Sequence, residues 1–463
     1  MGFRQNYRKE TEAIVEETHA KFTKGAIIKH VIVMSLTASI GLIALFLVDL
    51  IDFYFISLLG EKELAAAIGY AGSILFFTSS ISIGLSITMG ALVSKNIGAR
   101  KIKEAQNFGI VIASLIFITG IIISLLVWLF APYLLSILGA EGSTLDFAIM
   151  YLRIIIIGTP IMALGMGLNA ILRAKAEARN AMISLLAGSI VNGILDPILI
   201  FGFDLGLKGA AFATLISRFF ILGVVIFFLY KNNFFKGVSL KCFKKFKKYL
   251  KPIAFIALPA ILTNLATPIG NAYVIAKIAD FGDSAVAGFS MIGRISPVAF
   301  AVIFALSGAI GPIIGQNLGA GNLKRVKQTV LESIKFSVIY IFSISIILFL
   351  VKGFIVDMFK LTGEARVLGI LFFTFLSWLF IFQALVFIAN AAFNNIGQAK
   401  KSTIVNFLKA TVFTIPFVYF GAKFYGASGA LIGQSIGFIL IGIIAITWCF
   451  SEIKKLNGVG KNS

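Results

Sequence analysis

The chain has 463 residues, of which 59% are hydrophobic and only 13% are charged, whereas an average soluble protein is about 25% charged. One water-soluble core cannot hide so much apolar surface, which excludes a soluble enzyme and a disordered chain and leaves a lipid bilayer as the main solvent. The net charge of +21 would suggest nucleic acid in a soluble domain, but basic loops explain it better in a membrane protein, so no nucleic-acid partner is expected.

Long apolar runs, each near or above the roughly 20 residues that cross a bilayer, predict twelve transmembrane helices. Those of the first half are expected at about 30–57, 64–94, 108–138, 146–171, 180–203 and 209–230. Those of the second half are expected at about 252–279, 285–315, 328–351, 367–393, 402–422 and 428–450. The predicted fold class is therefore an all-α integral membrane protein.

Basic residues alternate between rich and poor loops along the chain. One set of alternate loops carries 20 lysines and arginines, and the other set carries 6. Because positively charged loops stay on the cytoplasmic side, both termini are expected inside. The sequence thus predicts a multi-pass protein of the inner (plasma) membrane of a cell.

The segment 231–251 holds eight lysines and no acid, which is typical of a solvated cytoplasmic linker. Such a cluster can also attract anionic lipid head groups, and membrane lipid is an expected partner in any case. The predicted organisation is a cytoplasmic N-terminal segment at 1–29, a six-helix bundle at 30–230, the linker at 231–251, a second six-helix bundle at 252–450 and a cytoplasmic tail at 451–463.

Three short motifs recur in the same order at nearly one spacing. They begin at Gly60 and Gly282, at Asn96 and Asn317, and at Gly206 and Gly426, with offsets of 222, 221 and 220 residues. This repeat predicts two similar six-helix bundles of the same orientation, a layout that is common among secondary transporters.

Three aspartates lie inside predicted helices of the first half, where a charge is costly and by default indicates function. Asp49 and Asp52 are three residues apart, so they share a face of the first helix. Asn192 precedes Asp196 by one turn in the fifth helix. The following Pro197 is expected to kink that helix and to free carbonyl oxygens nearby.

Carboxyl groups in this setting have two uses. One aspartate can carry a proton, or the oxygens of Asp52, Asn192, Asp196 and Thr214 can together bind a hard cation such as Na⁺. Either use couples an ion gradient to a change of conformation. The structural alternative is that each aspartate caps a broken helix or pairs with a nearby arginine.

Other charged residues and motifs limit the possible chemistry. The second half has no acid at comparable depth, so ion coupling is expected in the first half. Arg218 lies near the middle of the sixth helix, where it could neutralise an aspartate, contact an anionic substrate or reach an interface. The sequence contains no zinc-protease or P-loop motif, so an enzyme is not expected.

Several segments together resemble the multidrug and toxic compound extrusion (MATE) family over about residues 30–450. They are Val48-Asp-Leu-Ile-Asp52, Asn192-Gly-Ile-Leu-Asp196-Pro, Gly206-Leu-Lys-Gly-Ala-Ala and Gly315-Gln-Asn-Leu-Gly-Ala-Gly321. The resemblance implies a V-shaped antiporter of twelve helices in two bundles, which exports amphiphilic, often cationic organic compounds in exchange for H⁺ or Na⁺ by alternating access. A monomer without a cofactor is expected.

The resemblance also implies roles for individual residues. The cation-binding residues would be Asp52, Asn192, Asp196, Thr214 and Asn169, with Na⁺ possible at the first four. The substrate-binding residues would be Asp49, Tyr151, Thr37 and Arg218. Thr37 occupies the position at which members that bend the first helix have a proline, so a proline-dependent kink is not expected. Asp49 is an additional acid beside the expected cation site.

Two alternatives from other classes remain at this stage. A flippase of lipid-linked precursors shares the two-bundle layout, and the intramembrane residues Arg218 and Arg294 are compatible with it. A membrane scaffold or sensor that transports nothing is the other alternative. The buried aspartates and the near absence of domains outside the membrane argue against the scaffold.

Overall fold

The computed structural model describes residues 20–57, 59, 62–236 and 246–459. Most of the predicted N-terminal segment, the centre of the basic linker and the end of the tail lie outside these described residues. So does Gly60, at which one of the repeated motifs begins.

The first half of the described chain is a series of helices joined by short turns. Its helices are α1 (Ile27–Ser57), α2 (Lys62–Gly98), α3 (Ile102–Ile137), α4 (Gly142–Ile157), α5 (Thr159–Ala174), α6 (Ala178–Pro197) and α7 (Gly206–Lys231). A π-helical segment, Ile198–Gly202, continues α6. The pair α4 and α5 is bent by 45° and forms one broken span.

The second half follows the same plan. Its helices are α8 (Phe246–Ala279), α9 (Asp283–Ala299), α10 (Ala301–Gly319), α11 (Leu323–Met358), α12 (Gly363–Leu371), α13 (Phe380–Asn395), α14 (Ala399–Ala410) and α15 (Ile415–Val459). A π-helical segment, Phe372–Leu376, and a 3₁₀ turn, Ser377–Leu379, connect α12 to α13.

The prediction of twelve transmembrane helices is confirmed. Within the described part of the chain, ten helical stretches are long and apolar enough to cross a membrane, and the bent pair α4–α5 makes an eleventh. The last of the ten, Ala399–Leu456, contains two crossings because the backbone leaves the helical conformation at Tyr425 and Gly426. Gly426 has a φ of 64°, which glycine adopts without the steric penalty of a side chain.

Most helices extend beyond the predicted limits. Helix α3, for example, begins at Ile102, six residues before the predicted start, and has Glu104 in its first turn. An acid there interacts favourably with the positive end of the helix, although it does not belong in lipid. Hydropathy finds the part of a helix that lies in the bilayer, whereas capping and charge decide where the helix ends.

The chain divides by contacts into two compact units. Among the described residues, the first unit comprises 20–21 and the part from Ile40 to Ile261, and the second comprises Phe22–Ser39 and the part from Leu262 to residue 459. The start of α1 therefore packs with the second unit, although it belongs to the first half of the sequence. The domain limits inferred from loop charge stay a prediction.

Close backbone packing holds the first unit together. Leu135 of α3 and Leu152 of α4 are buried in one cluster with Ala67 and Ala71 of α2. Small residues allow helices to approach closely in a membrane. At Gly120 in α3, an added Cβ would lie 2.8 Å from the Cα of Pro160 in α5, so this crossing requires glycine.

The core of the second unit is rich in aromatic side chains. The rings of Phe300 and Phe380 stack with centroids 4.1 Å apart, in a cluster that includes Phe373 and Val418. On the outside, α11 exposes large apolar side chains such as Leu350 and Phe354. Continuous apolar surface of this kind is suited to lipid.

The segment before α1 is bound to the second unit by hydrogen bonds. The Phe22 amide donates to Gln316 Oε1 over 2.9 Å, and Asn317 Nδ2 donates to the Phe22 carbonyl over 3.1 Å. The Arg325 guanidinium donates to the carbonyls of Phe22 and Gly25, with a nitrogen–oxygen distance of 3.0 Å in each bond. One arginine thus satisfies several backbone acceptors that precede the helix.

Candidate functional site

Asp196 lies where α6 changes its helical geometry. The next residue, Pro197, has no N–H group and cannot donate the usual hydrogen bond to the preceding turn. The chain widens into the π-helical segment, in which the Phe203 amide donates to the Ile198 carbonyl over 2.9 Å. Segments of this kind occur frequently at functional sites in helices. The disturbance expected from Pro197 is therefore present.

Helix α6 carries a buried polar face that ends at this disturbance. Asn192 is 5% exposed and Asp196 is fully buried, and Asn192 Nδ2 donates to Asp196 Oδ2 over 2.9 Å. Ser189 shares this face, and its buried hydroxyl has no hydrogen-bond partner. The sequence analysis missed Ser189. Its position seven residues before Asp196, two helical turns away, could have identified it.

The carboxyl groups of Asp52 and Asp196 lie within hydrogen-bonding reach of each other. An ionised carboxylate only accepts hydrogen bonds, so a bond between two carboxyl groups requires a proton on one of them. Each aspartate also has a buried Oδ1 without a hydrogen-bond partner. Among the described residues, no lysine or arginine forms an ion pair with either group. The pair can therefore accept a small cation.

Asp49 and Arg218 flank this pair. Asp49 is exposed, one turn before Asp52 on α1, and interacts electrostatically with both Asp52 and Arg218. The Arg218 guanidinium donates to the Ile155 carbonyl over 2.9 Å. It packs over Gly158 at the break between α4 and α5, where an added Cβ would lie 3.1 Å from the arginine side chain.

Tyr151 closes one side of the group. It is half-buried on α4 and packs against a cluster that includes Ile56, Ile200 and Leu207. Electrostatic interactions connect its hydroxyl with Asp52 and Arg218. The structure thus brings Tyr151 together with the predicted cation-binding and substrate-binding residues.

Three other predicted residues occupy different surroundings. Thr214 is half-buried on α7, one turn before Arg218. Asn169 on α5 donates to the Ala181 carbonyl and to Ser184 Oγ, over 3.0 and 2.7 Å. Ser184 precedes Asn192 by eight residues, or about 12 Å along α6, so Asn169 is not brought to the carboxyl pair. Its amide instead joins α5 to α6.

Thr37 lies in the part of α1 that packs with the second unit, fifteen residues before Asp52. It is half-buried, and the chain around it is helical. The structure does not group Thr37 with the other predicted site residues, all of which belong to the first unit.

Comparison with known proteins identifies relatives over nearly the whole chain. A family model described as MatE matches residues 38–198 and again residues 259–420. The two matches begin 221 residues apart, which confirms the internal repeat. The FAD transporter of Shewanella oneidensis is 31% identical over 428 residues, covering 89% of this chain and 91% of that protein. The multidrug export protein MepA of Staphylococcus aureus is 28% identical over 418 residues, covering 89% and 90%.

Solved structures agree with this likeness. The crystal structure of a MATE transporter in complex with MaL6 matches with a TM-score of 0.90 and 25% identity, covering 95% of this chain and 99% of that one. An outward-facing multidrug resistance MATE transporter of the MOP superfamily also matches with a TM-score of 0.90, at 24% identity, over 95% and 99% of the two chains. The predicted all-α fold with two helical bundles is confirmed.

Proposed function

The chain belongs to the MatE family of membrane transporters, and from this premise we propose that it is a secondary active exporter that exchanges organic compounds for H⁺ or Na⁺. The family is one of transporters, so the protein moves small molecules across a membrane and is not an enzyme. The coupling ion, the antiport and the alternating access belong to the proposal.

The observation that carries the proposal is the pair of Asp52, which is half-buried with a buried Oδ1, and the fully buried Asp196. An unpaired charge in a low-dielectric interior costs several kcal/mol, and two adjacent carboxylates also repel each other. Binding one small cation removes both penalties. The pair therefore favours one conformation when it is loaded and another when it is empty, and a ligand shifts such an equilibrium only by its different affinities for the two states.

In the proposed cycle, the cation enters from outside and binds between Asp52 and Asp196 while the substrate is released. The loaded protein returns to the inward-facing state, where the cation leaves and a new substrate binds. Competition between cation and substrate for one two-state protein gives the exchange its direction. Because transport needs both states, a variant that cannot bind the cation remains unable to use a gradient.

The geometry supports H⁺ as the coupling ion. The close approach of the two carboxyl groups is satisfied by a single shared proton. A sodium ion would instead require several oxygens around one point, for which Asn192 and Thr214 are the remaining candidates. Separate gradients of H⁺ and Na⁺ distinguish the two ions.

Two cargo classes follow from the relatives and the charges. The relative from Staphylococcus aureus is named as a multidrug exporter, and Asp49 is an exposed acid that suits an amphiphilic cation. The relative from Shewanella oneidensis is named as an FAD transporter, and FAD carries a diphosphate. Arg218, close to Asp49, offers a positive charge in the same region of the first unit.

The setting of the protein is part of the same proposal. The excess of basic residues in alternate loops supports a cytoplasmic position of both termini, in a protein of the plasma membrane. It works as a monomer in contact with lipid and without nucleic acid. Cleavage or labelling of the termini from one side of sealed vesicles tests this orientation.

The decisive experiment uses purified protein in proteoliposomes with a pH gradient or a Na⁺ gradient, imposed one at a time. Efflux of a fluorescent cation such as ethidium is followed with Asp196→Asn. We expect gradient-driven efflux to fall to background, because the amide keeps the shape but cannot release a proton. The exposed Asp146 on α4 provides the matched control, Asp146→Asn, which should behave as the original protein does. Unchanged efflux by Asp196→Asn would refute the assignment.

A further inference from the structure

A second buried charge lies in the other unit. Lys409 on α14 is 7% exposed and stands ten residues after Ala399, or about 15 Å from the start of the helix. Among the described residues, no hydrogen bond or ion pair reaches its Nζ atom. The nearest described partner is the ring of Phe438, whose centroid is 5.7 Å away. A lysine held in this way is expensive unless something binds it.

A buried amide faces the same level of the bundle. Ser402 Oγ donates to Asn390 Oδ1 over 2.9 Å, and this bond fixes the register of the antiparallel helices α13 and α14. Two turns back from Asn390 is Gln383, and two turns on from Ser402 is Lys409, so these two residues lie level with each other. Gln383 is 8% exposed, and its Oε1 is buried without a hydrogen-bond partner.

Both helices are interrupted at this level. The π-helical segment Phe372–Leu376 and the turn Ser377–Leu379 end just before Gln383. Helix α14 ends at Ala410, directly after Lys409, and α15 begins at Ile415. Irregular backbone at membrane depth is tolerated where it is buried in protein or lines a cavity. Two interruptions beside two buried polar groups therefore indicate a built site.

The acids of the described part of the second unit are engaged elsewhere. Four form ion pairs with basic residues: Asp280 with Lys277, Glu332 with Lys335, Asp357 with Arg366, and Glu452 with Lys401 and Lys455. The other two, Asp283 and Glu364, lie in the first turns of α9 and α12. Lys409 thus has no acidic partner among the described residues of its own unit, and an anionic ligand would supply the missing negative charge.

We propose that Lys409 and Gln383 form a binding site for an anionic group, a phosphate or a carboxylate. The ammonium supplies the charge, and the Gln383 amide can turn its NH₂ group toward the anion. Hydrogen bonds to charged groups are the strong ones, particularly away from water. The anion arrives either free or as part of a transported molecule. The second case rests on the proposed export function and adds organic anions to its substrates.

The test uses two flavins that share one ring system. FMN carries a phosphate and riboflavin does not, and the fluorescence anisotropy of either reports binding to purified full-length protein. We expect FMN to bind more tightly than riboflavin. Lys409→Gln should lower the affinity for FMN by about ten- to hundredfold and leave the affinity for riboflavin unchanged. Lys409→Arg should keep most of the preference. The exposed Lys423 supplies the matched control, Lys423→Gln.

Competition by inorganic phosphate separates the two sources of the anion. Displacement of FMN by phosphate from the original protein, but not from Lys409→Gln, would assign the site to a free anionic group. If FMN binding depends on Lys409 but phosphate does not displace FMN, the site is assigned to a phosphate that is carried on an organic molecule. Both outcomes support the site, whereas equal binding of FMN and riboflavin by the original protein would overturn it.

Thermal stability provides an independent readout. Lys409→Met removes an unpaired buried charge, so we expect the melting temperature to rise while FMN binding falls. If Lys409 only supported the fold, its substitution would lower both the melting temperature and FMN binding. These measurements need no gradient, so failure of the export proposal with Asp196→Asn leaves their result intact. A Lys409→Gln protein that binds FMN as the original does would refute the anion site.

Discussion

Among the described residues, each unit contains a buried ionisable side chain without an ion pair, Asp196 in the first and Lys409 in the second, and the two are opposite in sign. In the first unit, the carboxyl groups of Asp52 and Asp196 lie within hydrogen-bonding reach of each other beside the π-helical end of α6. In the second unit, Lys409 near the end of α14 lies level with Gln383, whose Oε1 is buried without a hydrogen-bond partner. Duplication has thus retained the helix interruptions but not the chemistry next to them.

The sequence repeat shows which residues of the second half correspond to Asn192 and Asp196. Pro197 and Pro416 are 219 residues apart, and aligning them places Ile415 opposite Asp196 and Thr411 opposite Asn192. The second unit has therefore lost both the acid and the amide that form the cation site. A break in a helix is a property of the backbone, set by proline and packing, so it can persist while the polar side chains beside it are replaced.

The largest effect should come from the acidic centre. Asp52→Asn is expected to reduce gradient-driven efflux to background, as Asp196→Asn does. The double variant should be no worse than either single variant, because groups that act as one unit are not additive. Initial efflux rates in proteoliposomes are measured for the original protein, the two single variants and the double variant. Efflux that stays above background in either single variant and falls further in the double variant would show that the two carboxyl groups act independently.

A smaller effect should distinguish the helix crossings of the two units. At Gly209, an added Cβ would lie 2.6 Å from the Leu199 backbone, and at Gly429 it would meet the Gly421 carbonyl even more closely. Gly209→Ala should lower the free energy of unfolding by about 1–3 kcal/mol, and Gly429→Ala by more. Melting temperatures in detergent rank the two variants.

A matched control exists for these two substitutions. An added Cβ at Gly223, also on α7, meets no atom within 4 Å, so Gly223→Ala should be neutral or slightly stabilising. If the Gly209→Ala and Gly223→Ala proteins had the same melting temperature, the close crossing next to the π-helical segment would not require glycine.

The smallest effect should be local to the segment that precedes α1. Arg325→Gln removes hydrogen bonds to the carbonyls of Phe22 and Gly25, so hydrogen exchange of the Phe22–Gly25 amides should accelerate by about tenfold. The exposed neighbouring variant Lys324→Gln should leave exchange unchanged. Equal exchange in both variants would show that Gln316 and Asn317 hold the segment without Arg325.

Much of the fold was predictable because membrane insertion leaves a strong signal. The need for about 20 apolar residues in each crossing fixed the twelve helices, and Pro197 indicated the disturbance after Asp196. The helix ends were less predictable, as α3 shows, because they depend on capping and charge outside the bilayer. The break between α14 and α15 was not predicted, although Pro416 is the second residue of α15 and could have indicated it.

The candidate site divides in the same way. Asp52, Asn192 and Asp196 were identifiable because charged and amide groups in apolar helices are rare. Ser189 was missed because a serine in a helix has no distinctive cost. Spacing alone does not specify the distance of Asn169 from Asp196, since that distance depends on how α5 lies against α6. Lys409 was visible as an intramembrane charge but had no assigned partner.

Composition and hydropathy determined that this protein lies in a membrane and crosses it twelve times, because lipid constrains every apolar residue along the chain in the same way. The repeated motifs determined that it consists of two related halves. Only the tertiary structure decided which polar groups meet. Asp52 and Asp196, which approach each other, are 144 positions apart in the sequence. Gln383 and Lys409 lie at the same height because of the register of the two helices that carry them. Such contacts follow from helix packing, which no local pattern of residues specifies.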